Sequence, residues 1–314
     1  MAWTNTSDMG KIGFPTWAKN LEKATNGKVK MVTYPAGVMG GAREAYQQVV
    51  TDVVDISWQF VGVYESTMPL VGVMMLPMVQ PSVPGNAKIA SRVLWDLYLK
   101  YPEMQKHFAD VKVLFLHAGG PSILMTAKKK IMVKDDFKGL KIRSAGGTGA
   151  EWLTKMGASP SAITMPELYG ALQTGVVQGA LAAWDAATGF KLEEVQKYYV
   201  DEGISGTAFF MIMNKQKWES LPPDIQKAID SVSGYAGAEY IGQVNDDAEA
   251  ASRKKVAEKG GAEVYRIAPE ELAKWKAVAD EINKKWISDM KAKGLPGQAV
   301  YDDTVSLLNK YTSK

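Results

Sequence analysis

Apolar positions recur with two different periods along this chain, and the alternation between them sketches its architecture. Phe14, Trp17, Ala18, Leu21 and Ala24 fall three and four apart, the spacing of one helix face, and Asn26-Gly27 supplies a stop. Over 28–34 the period changes to two, with Val29, Met31 and Thr33 on one side of a predicted strand. Pro35-Ala36-Gly37 then turns the chain. Ala42, Ala45, Val49 and Val53 mark a second helix, and 54–60 reads as a buried strand. Pro69, Pro77, Pro81 and Pro84 punctuate a loop-rich stretch before a helix at 87–100 and a strand at 111–116.

From Gly119 the alternation restarts. A short strand is predicted at 140–143, and Gly146-Gly147-Thr148-Gly149 opens a helix that runs through Met156. A strand at 161–164 leads to a helix at 166–174. Thr164 and Glu167 have capping-box spacing there, and Pro166 suits a first helical turn. Strands follow at 197–201 and 207–213. Between 222 and 259 only Gly234, Gly237 and Gly242 interrupt a helical pattern, which predicts a long helix or a kinked pair. A last amphipathic helix covers 269–293, with Leu272, Trp275, Val278, Ala279, Ile282 and Trp286 on its face. Helix-strand alternation in two halves predicts an α/β fold with two lobes.

Composition narrows what those lobes do. With 314 residues, 46% apolar and 23% charged, the chain is an ordinary globular one of two-domain size. Lys plus Arg is 37 against 34 Asp plus Glu, a balance too even for a protein that follows phosphate backbones, so no nucleic-acid partner is expected. The run Lys128-Lys129-Lys130 reads as a solvated edge. Cysteine is absent and the histidines are two, His107 and His117. Thiol chemistry is therefore excluded, and neither a metal site nor a hydrolytic triad has a recognisable pattern. No apolar run is long enough to span a membrane. No signal peptide is visible, so the chain is either cytoplasmic or stripped of a leader.

Two features bear on binding. The loop at Gly146–Gly149 could be read as a dinucleotide fingerprint, but its third glycine position holds Trp152, which would block the close helix-strand approach that motif needs. Arg143 ends a strand just before this loop. A guanidinium there could meet an anion in a cleft beside a helix N-terminus, or pair with Asp135 or Asp136.

Five blocks carry a family resemblance. Phe137-Lys138-Gly139-Leu140-Lys141-Ile142-Arg143 is similar to a DLKGLKIR signature, and Met156-Gly157-Ala158-Ser159-Pro160 to LGANPV. The stretch from Pro166 to Gly175 resembles FSEVYTALQTG, Tyr34-Pro35-Ala36-Gly37 with Gly40-Gly41 resembles YPAGQLGG, and Leu221-Pro222 resembles the WDSLPED turn. In this order they resemble the solute receptors of tripartite ATP-independent periplasmic (TRAP) transporters, of the dicarboxylate-receptor type. The resemblance implies a periplasmic, two-lobed binding protein with a long helix spanning both lobes, no enzymatic activity and no cofactor. It further implies delivery of an organic acid to TRAP membrane permease subunits, and a monomer is expected. The implied lobes are 1–118 with 205–245, and 119–204 with 246–314. They would hinge near Ala118-Gly119 and Ser205-Gly206, with the long helix bending as well. Arg143 matches the family arginine that grips a substrate carboxylate.

The chain departs from the family where relatives keep polar groups. Ile123 stands near a second family arginine, Ala182 at a family asparagine with Trp184 two residues on, Met165 at a family aromatic, and Trp3 at a polar strand end. Trp58-Gln59-Phe60 occupies a contact-making strand. The expected ligand contacts are Arg143, Trp184, Gln59, Phe60, Trp3, Met165, Ile123, Ala182 and Phe209. One arginine among apolar groups points to an aromatic or hydrophobic monocarboxylate, because buried polyol hydroxyls would go unpaired. A small 2-oxo or 2-hydroxy acid is the alternative within the same role, and a nucleotide-dependent α/β enzyme is the alternative outside it.

Overall fold

A computed structural model describes residues 1–3, 8–35, 37–81, 83 and 85–313. Of the predicted turn at 35–37, Ala36 lies outside them, as does Pro84 of the proline-rich stretch. The strands are β1 (Ile56–Phe60), β2 (Val111–Thr126), β3 (Lys141–Ser144), β4 (Ser159–Ala162), β5 (Gly179–Ala182), β6 (Tyr198–Asn214) and β7 (Glu263–Tyr265). The helices are α1 (Phe14–Ala24), α2 (Ala45–Val50), α3 (Asn86–Lys100), α4 (Pro102–Lys106), α5 (Gly147–Met156), α6 (Met165–Gln173) and α7 (Trp184–Gly189). After these come α8 (Lys215–Ser220), α9 (Pro223–Ser231), α10 (Gly234–Glu258), α11 (Pro269–Ala292) and α12 (Gly297–Thr312).

One sheet, ordered β1-β6-β2-β5-β3-β4 with β7 beside β6, runs through the whole molecule. It holds together because β2 and β6 are far longer than ordinary strands. The 17 residues of β6 extend about 56 Å at the usual rise. The first half of β2 pairs with the second half of β6, where β1 also joins; the second half of β2 pairs with the first half of β6, where β5 and β7 join. The sequence reading placed two separate strands at 197–201 and 207–213. They are one strand, because the chain between them continues alongside β2, with Ser205 paired to Ser122. That register slips between Gly119 and Ser122, at the crossing from one half to the other.

Three apolar clusters sit on this frame. The first packs α1, α3 and α12 against β1 and the near halves of β2 and β6. The far half of the sheet is buried on both faces, and the period of two divides its side chains. Leu124, Leu181 and Val200 join Trp152 and Trp275 on one face; Ile123, Ala182 and Tyr199 join Trp184 and Leu168 on the other.

Long helices tie the lobes together. The predicted stretch after 222 is a broken pair: α9 ends at Ser231, and Gly234, with φ of 55°, restarts the chain as α10. At 25 residues α10 is about 37 Å long, with Ile241 in the first cluster and Val256 in the third. The expectation that 246–314 belongs to the second lobe fails at its end. In α11, Trp275, Val278 and Ile282 serve the second cluster, but Trp286 and Met290 join the first, together with Val300 and Leu308 of α12. The C-terminal segment thus crosses back and covers α3.

Other elements moved locally. The strand expected at 28–34 is reduced to a bridge between Tyr34 and Ala2, since residues 1–3 lie between it and β1 and take the hydrogen bonds of both. The second helix is shorter than the predicted 42–53. The strand expected at 161–164 lies two residues earlier as β4, because Thr164 is the extended cap of α6 and its hydroxyl and N–H donate to Glu167 Oε2 at 2.6 and 3.3 Å.

Trp152, Trp275 and Phe137 form an edge-to-face trio with centroids 5.3 to 5.6 Å apart, all fully buried. Replacing Trp152 with alanine should cost about 3–5 kcal/mol, read by denaturant melts. A loss under about 1 kcal/mol would show that this trio does not hold the second lobe.

Candidate ligand-binding cleft

Arg143 is the third residue of β3, with β5 on one side and β4 on the other, so its side chain leaves the sheet between two strands. It is buried, at 8% exposure. Its Nε donates to Ile163 O at 2.9 Å and its Nη1 to Leu181 O at 3.0 Å. The acids that sequence proximity offered are engaged elsewhere: Asp135 with Lys138, and Asp136 with Lys129 and the N–H groups of Met132 and Val133. Among the described residues no carboxylate lies within ion-pair distance of Arg143, and burial alone pulls its guanidinium down to about 10. A buried cation with spare N–H donors and no counter-charge is costly unless an anion completes it.

The cleft beside it is lined from the first lobe by Phe60, Glu65 and Met75, and from the second by Ser144 to Gly146, Thr148, Gly149 and Leu181. Ser122 and the segment Ser205–Thr207 lie at the crossing. Leu181 therefore connects the cleft to Arg143. The glycine loop adopts backbone that side chains resist, with φ of 103° at Gly146 and 57° at Gly147. Thr148 reaches across the lobes and donates to Met75 O at 3.1 Å. Trp152 lies in the core with its indole N–H toward Trp275 O, so the loop starts a helix whose third fingerprint position holds a buried indole in place of a glycine.

The nine expected contacts fall into three places. Phe60 lines the cleft, and Phe209 lies 5.5 Å from it by ring centroids. Ile123, Ala182 and Trp184 share the third apolar cluster, with Met165 packed against it. Ile123 and Ala182 face each other across β2 and β5, and Trp184 stacks on Tyr199 at 5.4 Å. Arg143 adjoins this cluster through the carbonyl of Ile163. Trp3 and Gln59 are not brought to Arg143. They line a separate hollow with Met39 and Gln48, because Gln59 and Phe60 are adjacent strand residues and point to opposite faces.

Several polar residues at the cleft were not among the expected ligand contacts. The hydroxyls of Ser122, Ser144, Thr148, Ser205 and Thr207 come from four elements, β2, β3, α5 and β6. His117 is fully buried between strands; it accepts a hydrogen bond from Trp58 Nε1 at its Nε2, 2.7 Å away, and stacks on Phe209 at 4.9 Å. Among the described residues no three His, Asp or Glu gather so as to hold a metal ion, and no helix is long and apolar enough to cross a membrane.

Two lobes on a shared sheet, with an uncompensated buried cation at their groove, define a binding protein for small anionic solutes. The chain matches the family of bacterial extracellular solute-binding proteins, family 7, over residues 2–289, and belongs to it. It is 27% identical over 305 residues to the outer membrane transporter protein TsaT of Comamonas testosteroni, covering 94% of this chain and 86% of that one. Among solved structures it resembles a TRAP solute-binding protein of Rhodoferax ferrireducens, in complex with copurified benzoate (26% identical, TM-score 0.90, 100% of this chain and 98% of that one). It also resembles a marine metagenome TRAP solute-binding protein specific for aromatic acid ligands, co-crystallised with 3-hydroxybenzoate (29% identical, TM-score 0.89, 99% and 98%). The chain is a TRAP-type solute receptor and not an enzyme.

Burial pushes His117 down to about 3. The unfolded chain takes up that proton near pH 6.5, so between about 6.5 and 3 the unfolded state binds more protons. Stability therefore rises with pH in this window and falls on acidification, by up to roughly 1.4 kcal/mol per pH unit. His117→Gln keeps an acceptor for Trp58 and does not titrate. Its melts at about pH 4.5 and 6.5 should differ less than those of the wild type, and equal losses would count against the buried neutral imidazole.

Proposed function

We propose that this receptor captures an aromatic or otherwise hydrophobic monocarboxylate, with Arg143 gripping the carboxylate, and delivers it to TRAP membrane subunits. The observation that carries the reading is the Arg143 guanidinium, buried, without an acid partner and with N–H donors to spare. Phe60 and Phe209 on one lobe, and the cluster of Ile123, Met165, Ala182 and Trp184 on the other, supply apolar surroundings. Burying ~150–250 Å² of an aromatic ring at about 25 cal/mol/Å² contributes roughly 4–6 kcal/mol before ordering costs. With a carboxylate clamp this approaches the ~8 kcal/mol of micromolar binding. Benzoate and 3-hydroxybenzoate in the two similar structures support the same class.

The lobes are inferred to close about the crossing near Gly119 and Ser205, with α10 and α11 flexing, in a receptor that works as a monomer in the periplasm. The cleft hydroxyls favour a second reading, a small 2-oxo or 2-hydroxy acid.

A thermal-shift screen tests the choice. Benzoate-like acids should raise the melting temperature, and stabilisation by polyhydroxy or dicarboxylic acids alone would reject the aromatic reading. Arg143→Ala should abolish the ligand-induced shift with apo melting nearly unchanged, since it removes an unpaired buried cation along with two hydrogen bonds. A fall of several kcal/mol in apo stability would make the arginine structural.

A further inference from the structure

Glu65 is out of place in an anion receptor. It follows the short helical turn Val61–Tyr64 after β1 and is half-buried. Among the residues lining the cleft it alone is ionisable. It makes no hydrogen bond or ion pair with any described residue, and burial pushes its carboxyl above the ordinary range without any opposing partner. Its carboxylate lies across the cleft against the glycine loop: a Cβ built on Gly147 would sit 2.0 Å from Glu65 Oε1. That oxygen occupies the space beside Gly147, whose φ of 57° itself favours glycine.

Arg143 lies just behind the cleft wall, donating to the carbonyl of the lining residue Leu181, while Glu65 lines the cleft itself; the two do not pair, and each has unused hydrogen-bonding capacity, one as donor and one as acceptor. Resting on the monocarboxylate reading above, we propose that Glu65 is a specificity residue that selects monoanions carrying a hydrogen-bond donor, a hydroxyl or an amine, and rejects dianions. A ligand carboxylate answers Arg143. A hydroxyl elsewhere on the same ligand donates to Glu65 and satisfies it. A second carboxylate at that point would meet a like charge inside a closed cleft with no cation to offset it, an arrangement strongly disfavoured at interfaces.

The test compares ligands of the same shape that differ only in that group: 3-hydroxybenzoate with isophthalate, and 4-hydroxybutanoate with butanedioate. Affinities are measured by calorimetry on the wild type, Glu65→Gln and Glu65→Ala. The wild type should prefer the hydroxy acid over its matching diacid. Glu65→Gln, which keeps shape and an acceptor but removes the charge, should narrow that ratio at least about tenfold in one pair or both, chiefly by admitting the diacid. Glu65→Ala should narrow it further by losing the acceptor. If no ratio narrows in either variant, the role of Glu65 is overturned. If the aromatic pair binds nowhere while the aliphatic ratio narrows, the aromatic reading fails and the role of Glu65 stands.

Discussion

The organisation of this receptor turns on one buried positive charge. A guanidinium that has left water and found only two carbonyl oxygens is held at a cost, and that cost is borne by the strands that fix it. Arg143 emerges from a short parallel strand flanked by β4 and β5, and the carbonyls it binds belong to the next loop and to β5. Its position is therefore rigid before any ligand arrives. On the proposed reading a ligand carboxylate completes a coordination that the protein has left unfinished, and affinity then derives from preorganisation as much as from contact.

The shared sheet explains how such a site can be both rigid and accessible. Each lobe has its own core, yet β2 and β6 pass through both, and α10 and α11 bridge them on the outside. Side chains change cluster along these elements, as Ile241 and Val256 do on α10, so each lobe is anchored at several points. The register slip near Gly119 and Ser122 falls where the two strands leave one core and enter the other. The cleft opens beside that stretch, which contributes Ser122 and Ser205 to Thr207 to its lining. Ser122, Ser205 and Thr207 bring hydroxyls to this crossing, and none of them belongs to the three apolar clusters.

Aromatic side chains are divided by the same logic. Trp17, Trp152 and Trp275 are fully enclosed and serve packing. Trp58, His117 and Phe209 form a stack beneath the first-lobe wall of the cleft, with Phe60 at its edge. The neutral His117 belongs to this stack as an acceptor for indole N–H, which is why so acid-shifted an imidazole has no counter-ion.

Much of the frame was legible in the sequence. Period-3.6 and period-2 patterns located α1, α3, α5, α6 and α11, the capping pair Thr164 and Glu167 set the start of α6, and ordered short motifs identified the family. Arg143 stood out because a cation at a strand end before a glycine loop has few packing uses. The sequence could not say that Asp135 and Asp136 would be taken by lysines and backbone N–H groups, since that depends on where the following turn places them. It could not say that Trp3 and Gln59 face away from Arg143, because one residue of strand phase reverses a side chain. Nor could it assign α12 to the first lobe, because local periodicity records which face of a helix is apolar but not which core receives it. Glu65 has no motif at all; its meaning arises only when folding sets it against Gly147 and leaves it without a cation. Local pattern determined the elements and the family, and long-range packing decided which charges remain unpaired, which is where the chemistry of recognition resides.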